Sequence, residues 1–228
     1  MNGIPYQSAV GAIMYAMLGS RPDIAYAISV LSQFNSNPAP QHWTAIKRVL
    51  RYLNGTKDYK LVYGGRSNNV NPTLLGYCDA DWASNIDDRR SMTGYVFTLA
   101  GGAISWQTKK QPTVALSSVE AEYMAATQAT KEAIWFRSFF NELGMINIIS
   151  SPTIIFSDSQ GSIALSKNPE HHARTKHIDI QHHFIREQVA LGTVSFKFIS
   201  TDVMAADILT KGLSKNKHQE MVKLMGVK

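Results

Sequence analysis

The chain has 228 residues, 44% hydrophobic and 18% charged, a composition that excludes a disordered chain and leaves room for a sizeable core. Its formal net charge of +6 favours a polyanionic partner, of which nucleic acid is the commonest. Cys78 is the only cysteine, which excludes an intrachain disulfide framework or a cysteine-rich zinc site and makes a reducing compartment the expectation.

The opening Met-Asn-Gly-Ile-Pro lacks the basic start and apolar run of a secretion signal, so an intracellular location, cytoplasmic or nuclear, is expected. The apolar stretch Ala9 to Leu18 is too short to span a bilayer, so no membrane partner is expected. Residues 5 to 56 read as helical. Ser8 can cap a first helix reaching Leu18, and Pro22 and Asp23 suit the first turn of a second. A third runs from Gln41 to Leu53, stops at Asn54-Gly55, and carries Lys47, Arg48 and Arg51. The expected division is a helical segment over 1–60, a linker or edge over 61–73, and an α/β domain over 74–228.

Within that domain Leu74 to Cys78 reads as a strand ending in acids. Gly94 to Leu99 and Ala103 to Thr108 read as a hairpin joined at Gly101-Gly102. A long helix from Ser118 to Leu143 follows, closed by Gly144. Next come a short strand, Thr153 to Phe156, and a short helix, Ser159 to Leu165. A His-rich turn leads into a helix from His177 to Leu191. Thr193 to Ile199 alternates as a strand, and a last helix starts near Thr201 and carries Asp207. Hairpins followed by strand–helix crossovers predict a mixed sheet with helices packed on it. Trp106 and Trp135 read as core residues, and Trp82, beside two acids, as a core or site-rim residue.

Acids stand where solvation is not their obvious reason. Asp79 and Asp81 end one apolar strand, and Asp158 ends another. Glu122 lies in an Ala-rich helix, and Asp207 lies between apolar neighbours. Ligands gather at strand ends in open α/β sheets. Converging carboxylates repel unless cations neutralise them, and oxygen-only ligation suits magnesium or manganese. Asp79 and Asp81 share a strand face, so geometry does not choose between them. Glu120 and Glu122 are about 200° apart on a helix, so one of the two faces the site. Ala121, Ala125, Ala129 and Ala133 form a small-residue ridge that lets this helix lie close to a sheet.

The segments Gly-Tyr-Cys-Asp-Ala-Asp-Trp-Ala, Leu-Ser-Ser-Val-Glu-Ala-Glu-Tyr-Met-Ala, Phe-Ser-Asp-Ser-Gln and Ala-Ala-Asp-Ile-Leu-Thr-Lys closely resemble the ribonuclease H domain of copia-type retrotransposon Pol polyproteins. Arg-Thr-Lys-His-Ile-Asp-Ile and Ser20 to Ala25 resemble the same family. The resemblance implies a ribonuclease H-like α/β fold, a mixed five-stranded sheet flanked by helices and preceded by a small all-helical segment. Residues 1–60 resemble the end of the reverse transcriptase region, thumb and connection. The polymerase Tyr-x-Asp-Asp signature is absent, so polymerase activity is not expected.

By resemblance, Asp79 takes precedence over Asp81 and Glu122 over Glu120, and Asp158 and Asp207 complete the catalytic, metal-binding set. It implies two Mg2+ or Mn2+ ions, one held by Asp79 and Asp207, the other by Asp79, Glu122 and Asp158. The implied reaction is cleavage of the RNA strand of an RNA–DNA hybrid, with the upstream polymerase part of the polyprotein as partner. Ser117 matches a residue that binds a DNA phosphate, Ser118 one that touches a ribose 2′-hydroxyl, and Gln160 one that reaches minor-groove base edges. Helix capping is the plainer role for both serines. Lys47, Arg48 and Arg51 could track the hybrid backbone or simply be solvated. Cellular relatives carry a histidine just before the fourth acid, whereas Phe198 to Asp207 contains none. His171, His172, His177, His182 and His183 fit no familiar zinc spacing. Together with Arg174 and Lys176 they read better as a phosphate-facing patch, with His177 alternatively a structural residue. The alternatives are an inactive hybrid-binding transposon relic and another nuclease of the same fold.

Overall fold

The computed structural model describes residues 3–64, 72–167 and 179–228. Helices α1 (Tyr6–Gly19), α2 (Ala25–Ser32) and α3 (Pro40–Gly55) close on a core that includes Tyr6, Val10, Ile13, Ile28, Ile46 and Val49. Pro22 opens a 3₁₀ turn ahead of α2, and Asp23 is buried there instead of serving as an exposed helix-start charge. Arg21 Nε donates to Asp23 Oδ1 at 2.9 Å and Nη2 to Oδ2 at 2.7 Å, while the Tyr52 hydroxyl donates to Oδ2 at 2.6 Å. Nη2 also donates to Thr56 Oγ1 at 2.8 Å, so this bidentate buried pair ties the α1–α2 corner to the end of α3.

The sheet contains β1 (Leu75–Asp81), β2 (Met92–Leu99), β3 (Gly102–Lys110), β4 (Thr153–Ser157) and β5 (Val194–Phe198), in the order β3-β2-β1-β4-β5. The first three strands pair antiparallel, and β4 and β5 run parallel to β1. The mixed five-stranded sheet read from the sequence is therefore present. The hairpin turn sits one residue earlier than expected, at Ala100 and Gly101, with Gly102 already in β3. Both turn residues have positive φ, 51° and 80°, the conformation that matches the twist of paired strands.

One face of the sheet carries α4 (Ser118–Glu142), α5 (Ile146–Ile149), α6 (Gln160–Lys167) and α7 (Asp179–Ala190). Ala121, Ala125, Ala129 and Ala133 are fully buried, so the alanine ridge brings α4 down onto β1 and β2. The other face carries α2, α8 (Asp207–Thr210) and α9 (Lys215–Leu224). The single last helix expected from Thr201 is instead a 3₁₀ turn at Thr201–Val203, then α8, then α9. Asp207 opens α8, so its carboxylate lies at a helix start rather than on a helix flank.

Ala25 of α2 shares a core with Val96 and Ala103 of the sheet and with Ile208, Leu209, Met221 and Met225. The C-terminus pairs with residues 60–62: Lys60 N–H donates to Lys228 O at 2.7 Å and Lys228 N–H to Lys60 O at 3.0 Å. Trp135 is a correction, being 54% exposed and stacked on Phe139 at 5.1 Å on the outer face of α4. Trp106 is half-buried against the α8–α9 cluster.

Candidate metal centre

The parallel pairing of β1 with β4 ends at Tyr77 opposite Phe156. Asp79 and Asp158 each lie two residues beyond that pair, where the two strands part. Such a strand-end crevice is where open α/β sheets place ligands. Alternation along β1 sends Cys78 and Ala80 into the α4-side core and Tyr77 to the α8 side, and Asp79 follows Tyr77. Glu122 reaches the same place from the second turn of α4, where it accepts a hydrogen bond from the Ala80 backbone N–H.

Carboxylate oxygens of Asp79, Glu122 and Asp158 lie within 4.8 Å of one another. Asp79 is 1% and Glu122 8% exposed, and Glu122 Oε2 is buried without a hydrogen-bond partner. Burial, then the charges of Asp79 and Asp158, push the Glu122 carboxyl up to about 9. Burial also raises Asp79, to about 6, against the pull of Lys211. Burial and the same acids push the Cys78 thiol well up, so it is an inert core residue. An orphaned buried carboxylate oxygen among oxygen-only donors fits a hard divalent cation such as Mg2+ or Mn2+.

Asp207 is just as buried, yet it stands outside this triad. Lys211 Nζ lies 2.9 Å from Asp207 Oδ1 and 3.5 Å from Asp79 Oδ2, and Lys217 Nζ lies 3.1 Å from Asp207 Oδ2. Thr210 Oγ1 donates to Asp79 Oδ2, and Thr201 Oγ1 donates to Asp158 Oδ2 at 2.6 Å. Gly94 on β2 makes this arrangement possible. A Cβ there would lie 2.7 Å from Thr210 Cγ2 and 2.8 Å from Leu209 Cβ, so only glycine lets α8 lie this close to the sheet. The two lysines and two threonines escaped the sequence reading. The signal available was the four-residue spacing of Asp207 and Lys211.

Glu120 is buried as well, for a different reason: its Oε2 accepts from the Leu116 N–H at 2.9 Å while Ser117 Oγ accepts from the Glu120 N–H at 3.2 Å. Ser117 is thus the N-cap of α4, and Ser118 is the exposed first residue of that helix. Gln160 is exposed two residues past Asp158. Asp81 is half-buried, with Tyr26 close enough to feel its charge. Trp82, half-exposed, donates its Nε1 hydrogen to Ala115 O at 3.1 Å. Lys47, Arg48 and Arg51 are exposed on α3. His182 is buried against Tyr123 at 4.3 Å. Arg174, Lys176, His171, His172 and His177 lie outside the described residues.

No family model matches the chain. The "Retrovirus-related Pol polyprotein from transposon TNT 1-94" of Nicotiana tabacum is 50% identical over 227 residues, 100% of this chain and 17% of the relative. The corresponding RE2 polyprotein of Arabidopsis thaliana is 41% identical, over 97% of this chain and 15% of its own length. A shorter relative, "Secreted RxLR effector protein 161" of Plasmopara viticola, is 56% identical over 59% of this chain and 93% of its own. Among solved structures, LC11-RNase H1 overlaps 60% of this chain and 92% of its own with 16% identity and a TM-score of 0.46. The sheet order and the helices on both faces are those of the mixed five-stranded α/β architecture that the sequence resemblance implied. Over nearly its whole length the chain is similar to retrovirus-related Pol polyproteins of plant transposons, of which it spans about one sixth of the length. Among the described residues no helix is long and apolar enough to cross a membrane.

Proposed function

We propose that this chain cleaves the RNA strand of RNA–DNA hybrids with two divalent ions, as part of a retrotransposon polyprotein. The observation that carries this reading is the clustering of Asp79, Glu122 and Asp158, with the buried Glu122 Oε2 lacking a hydrogen-bond partner, at the strand ends of a chain similar to Pol polyproteins. Asp79, Glu122 and Asp158 would hold one Mg2+ or Mn2+, and Asp79 with Asp207 the other. When bound, such a pair stabilises both the attacking and the departing oxygen of an in-line phosphoryl displacement. The products are then a 5′-phosphate and a 3′-hydroxyl.

The chain's own groups set the rest. Thr210 and Thr201 fix the orientation of Asp79 and Asp158. Ser117 and Ser118 stand exposed at the start of α4, which delivers Glu122, and Gln160 stands exposed at the start of α6, two residues past Asp158, where they would meet phosphate, ribose hydroxyl and base edge. Recognition of the 2′-hydroxyl is what distinguishes the RNA strand. Lys47, Arg48 and Arg51, with Arg174 and Lys176, would contact the backbone.

The test is a labelled hybrid offered beside matched double-stranded RNA and double-stranded DNA, in Mg2+. The expected result is cleavage of the hybrid's RNA strand alone, lost in Asp158→Asn with hybrid binding retained. Asp79→Asn should cost more than Asp81→Asn. Full activity in Asp158→Asn, or hybrid binding without cleavage by the unaltered chain, would overturn the reading. The second outcome would identify a hybrid-binding relic.

A further inference from the structure

Asp207 and Asp79 are both 1% exposed, yet the charge between them is met by lysine. Lys211 Nζ is within 2.9 Å of one carboxylate and 3.5 Å of the other, while Lys217 takes the remaining oxygen of Asp207 at 3.1 Å. Both Asp207 oxygens and Glu122 Oε2 lack a hydrogen bond, but the Asp207 oxygens are met by ammonium groups as ion pairs, whereas no ion pair to Glu122 is present among the described residues. The Lys211 side chain is 33% exposed, so it has a way out to solvent. Its backbone is extended (φ −147°, ψ 159°) just past α8, and no atom stands near the position a Cβ would take on Gly212. Lys217 is held differently, since it also donates to the Thr201 carbonyl from within α9.

We propose that Lys211 is a tethered counter-cation occupying the ion position between Asp79 and Asp207, which a divalent ion fills only by displacing it. Lys217, anchored by Thr201, keeps Asp207 aimed at that position throughout. The inference rests on the metal-dependent reading above and concerns how the site loads. Two carboxylates against two ammonium groups leave the Asp79–Asp207 position electrically neutral, so an arriving divalent ion there meets no net attraction until Lys211 leaves. At the Asp79–Glu122–Asp158 position Asp79 alone touches an ammonium group among the described residues, at 3.5 Å, so an ion there displaces less bound positive charge and that position fills first. Lys211 is a positioning residue on this account, acting through the two carboxylates.

The test is calorimetric titration of Mn2+ into the full chain without nucleic acid, with thermal melting at each Mn2+ concentration. The unaltered chain should bind one ion and then a second at least about tenfold more weakly. Lys211→Gln should tighten the second ion by roughly tenfold, and more than it tightens the first. Its melting midpoint should rise further with Mn2+ than that of the unaltered chain. Lys211→Arg, which keeps the charge, should keep the original ion-binding pattern. Two ions of equal affinity in the unaltered chain would overturn the proposal, a measurement that needs no variant to fold. So would a second-ion affinity in Lys211→Gln that is unchanged, or tightened no more than the first. Hybrid cleavage is scored separately: its absence in the unaltered chain retires the nuclease reading and leaves the ion-binding comparison intact.

Discussion

At the scale of single residues, Glu122 places stability and function in opposition. Burial, then Asp79 and Asp158, hold its carboxyl at about 9 against an ordinary 4.5. The folded chain therefore keeps a proton that the unfolded chain releases. Stability from this group is full below pH 4.5 and is lost as the pH climbs toward 9, by a few kcal/mol in all, each pH unit in that window removing at most about 1.4 kcal/mol. Asp79, raised from 3.8 to about 6, adds a loss of the same sign over its own range. In chelator, Glu122→Gln should therefore melt higher than the unaltered chain at pH 8, and the gap should close near pH 5, while cleavage in Mg2+ is abolished. Melting curves that shift in parallel across that range would refute this account of the buried carboxyl. Asp79 and Asp158 stood out in the sequence because each ends an apolar run, and the resemblance to the Pol family set them, with Glu122 and Asp207, ahead of Asp81 and Glu120. The lysines did not stand out, because a lysine is ordinary anywhere on a surface and only folding shows that two of them point at Asp207.

At the scale of elements, the position of α8 depends on one missing side chain. Gly94→Ala would put a Cβ 2.7–2.8 Å from Thr210 and Leu209, which must then shift. Overpacking of this kind costs about 1–3 kcal/mol. Because Thr210 and Asp207 move with α8, cleavage should fall more than stability alone explains. Chemical denaturation alongside kcat at a temperature where the variant is fully folded checks this, and an unchanged kcat would show that α8 tolerates the shift. Helix α3 carries a separate expectation. Replacing Lys47, Arg48 and Arg51 with alanine should flatten the logarithmic salt dependence of hybrid binding, by roughly 0.9 for each phosphate that is no longer neutralised, on the duplex DNA scale. The choice of strand should not change, because backbone charges carry no identity information. An unchanged slope would make that helix face merely solvated. Most elements were readable from periodicity. The interruption between Val203 and Asp207 was not, because Met204 turns extended there with its side chain fully buried, whereas the break between α8 and α9 falls at Gly212 and the N-cap Ser214.

At the scale of the whole molecule, the three N-terminal helices are not independent of the sheet. Ala25 packs in the same core as Val96, Ala103 and Leu209, and the C-terminal residues pair with Lys60 and Val62. Thermal unfolding should therefore be a single cooperative transition, with calorimetric and van't Hoff enthalpies in agreement. Two resolved transitions would show that the helical segment folds as a separate unit. The buried Arg21–Asp23–Tyr52 network sits at the corner of that segment, and no spacing rule in the sequence announces it.

The sequence by itself determined the alternation of strand and helix, the alanine ridge and the short set of candidate acids, because these depend on local periodicity and on the chemistry of single side chains. Its motifs also carried the resemblance to copia-type Pol polyproteins. Only the tertiary structure decided which acids converge. Asp79, Glu122 and Asp158 meet because β1 and β4 part beyond Tyr77 and Phe156 just where α4 begins. It also decided that Glu120 turns back to cap its own helix, that Trp135 faces solvent, and that lysines neutralise Asp207. Each of these depends on contacts between residues far apart in the chain, and local sequence does not encode such distances.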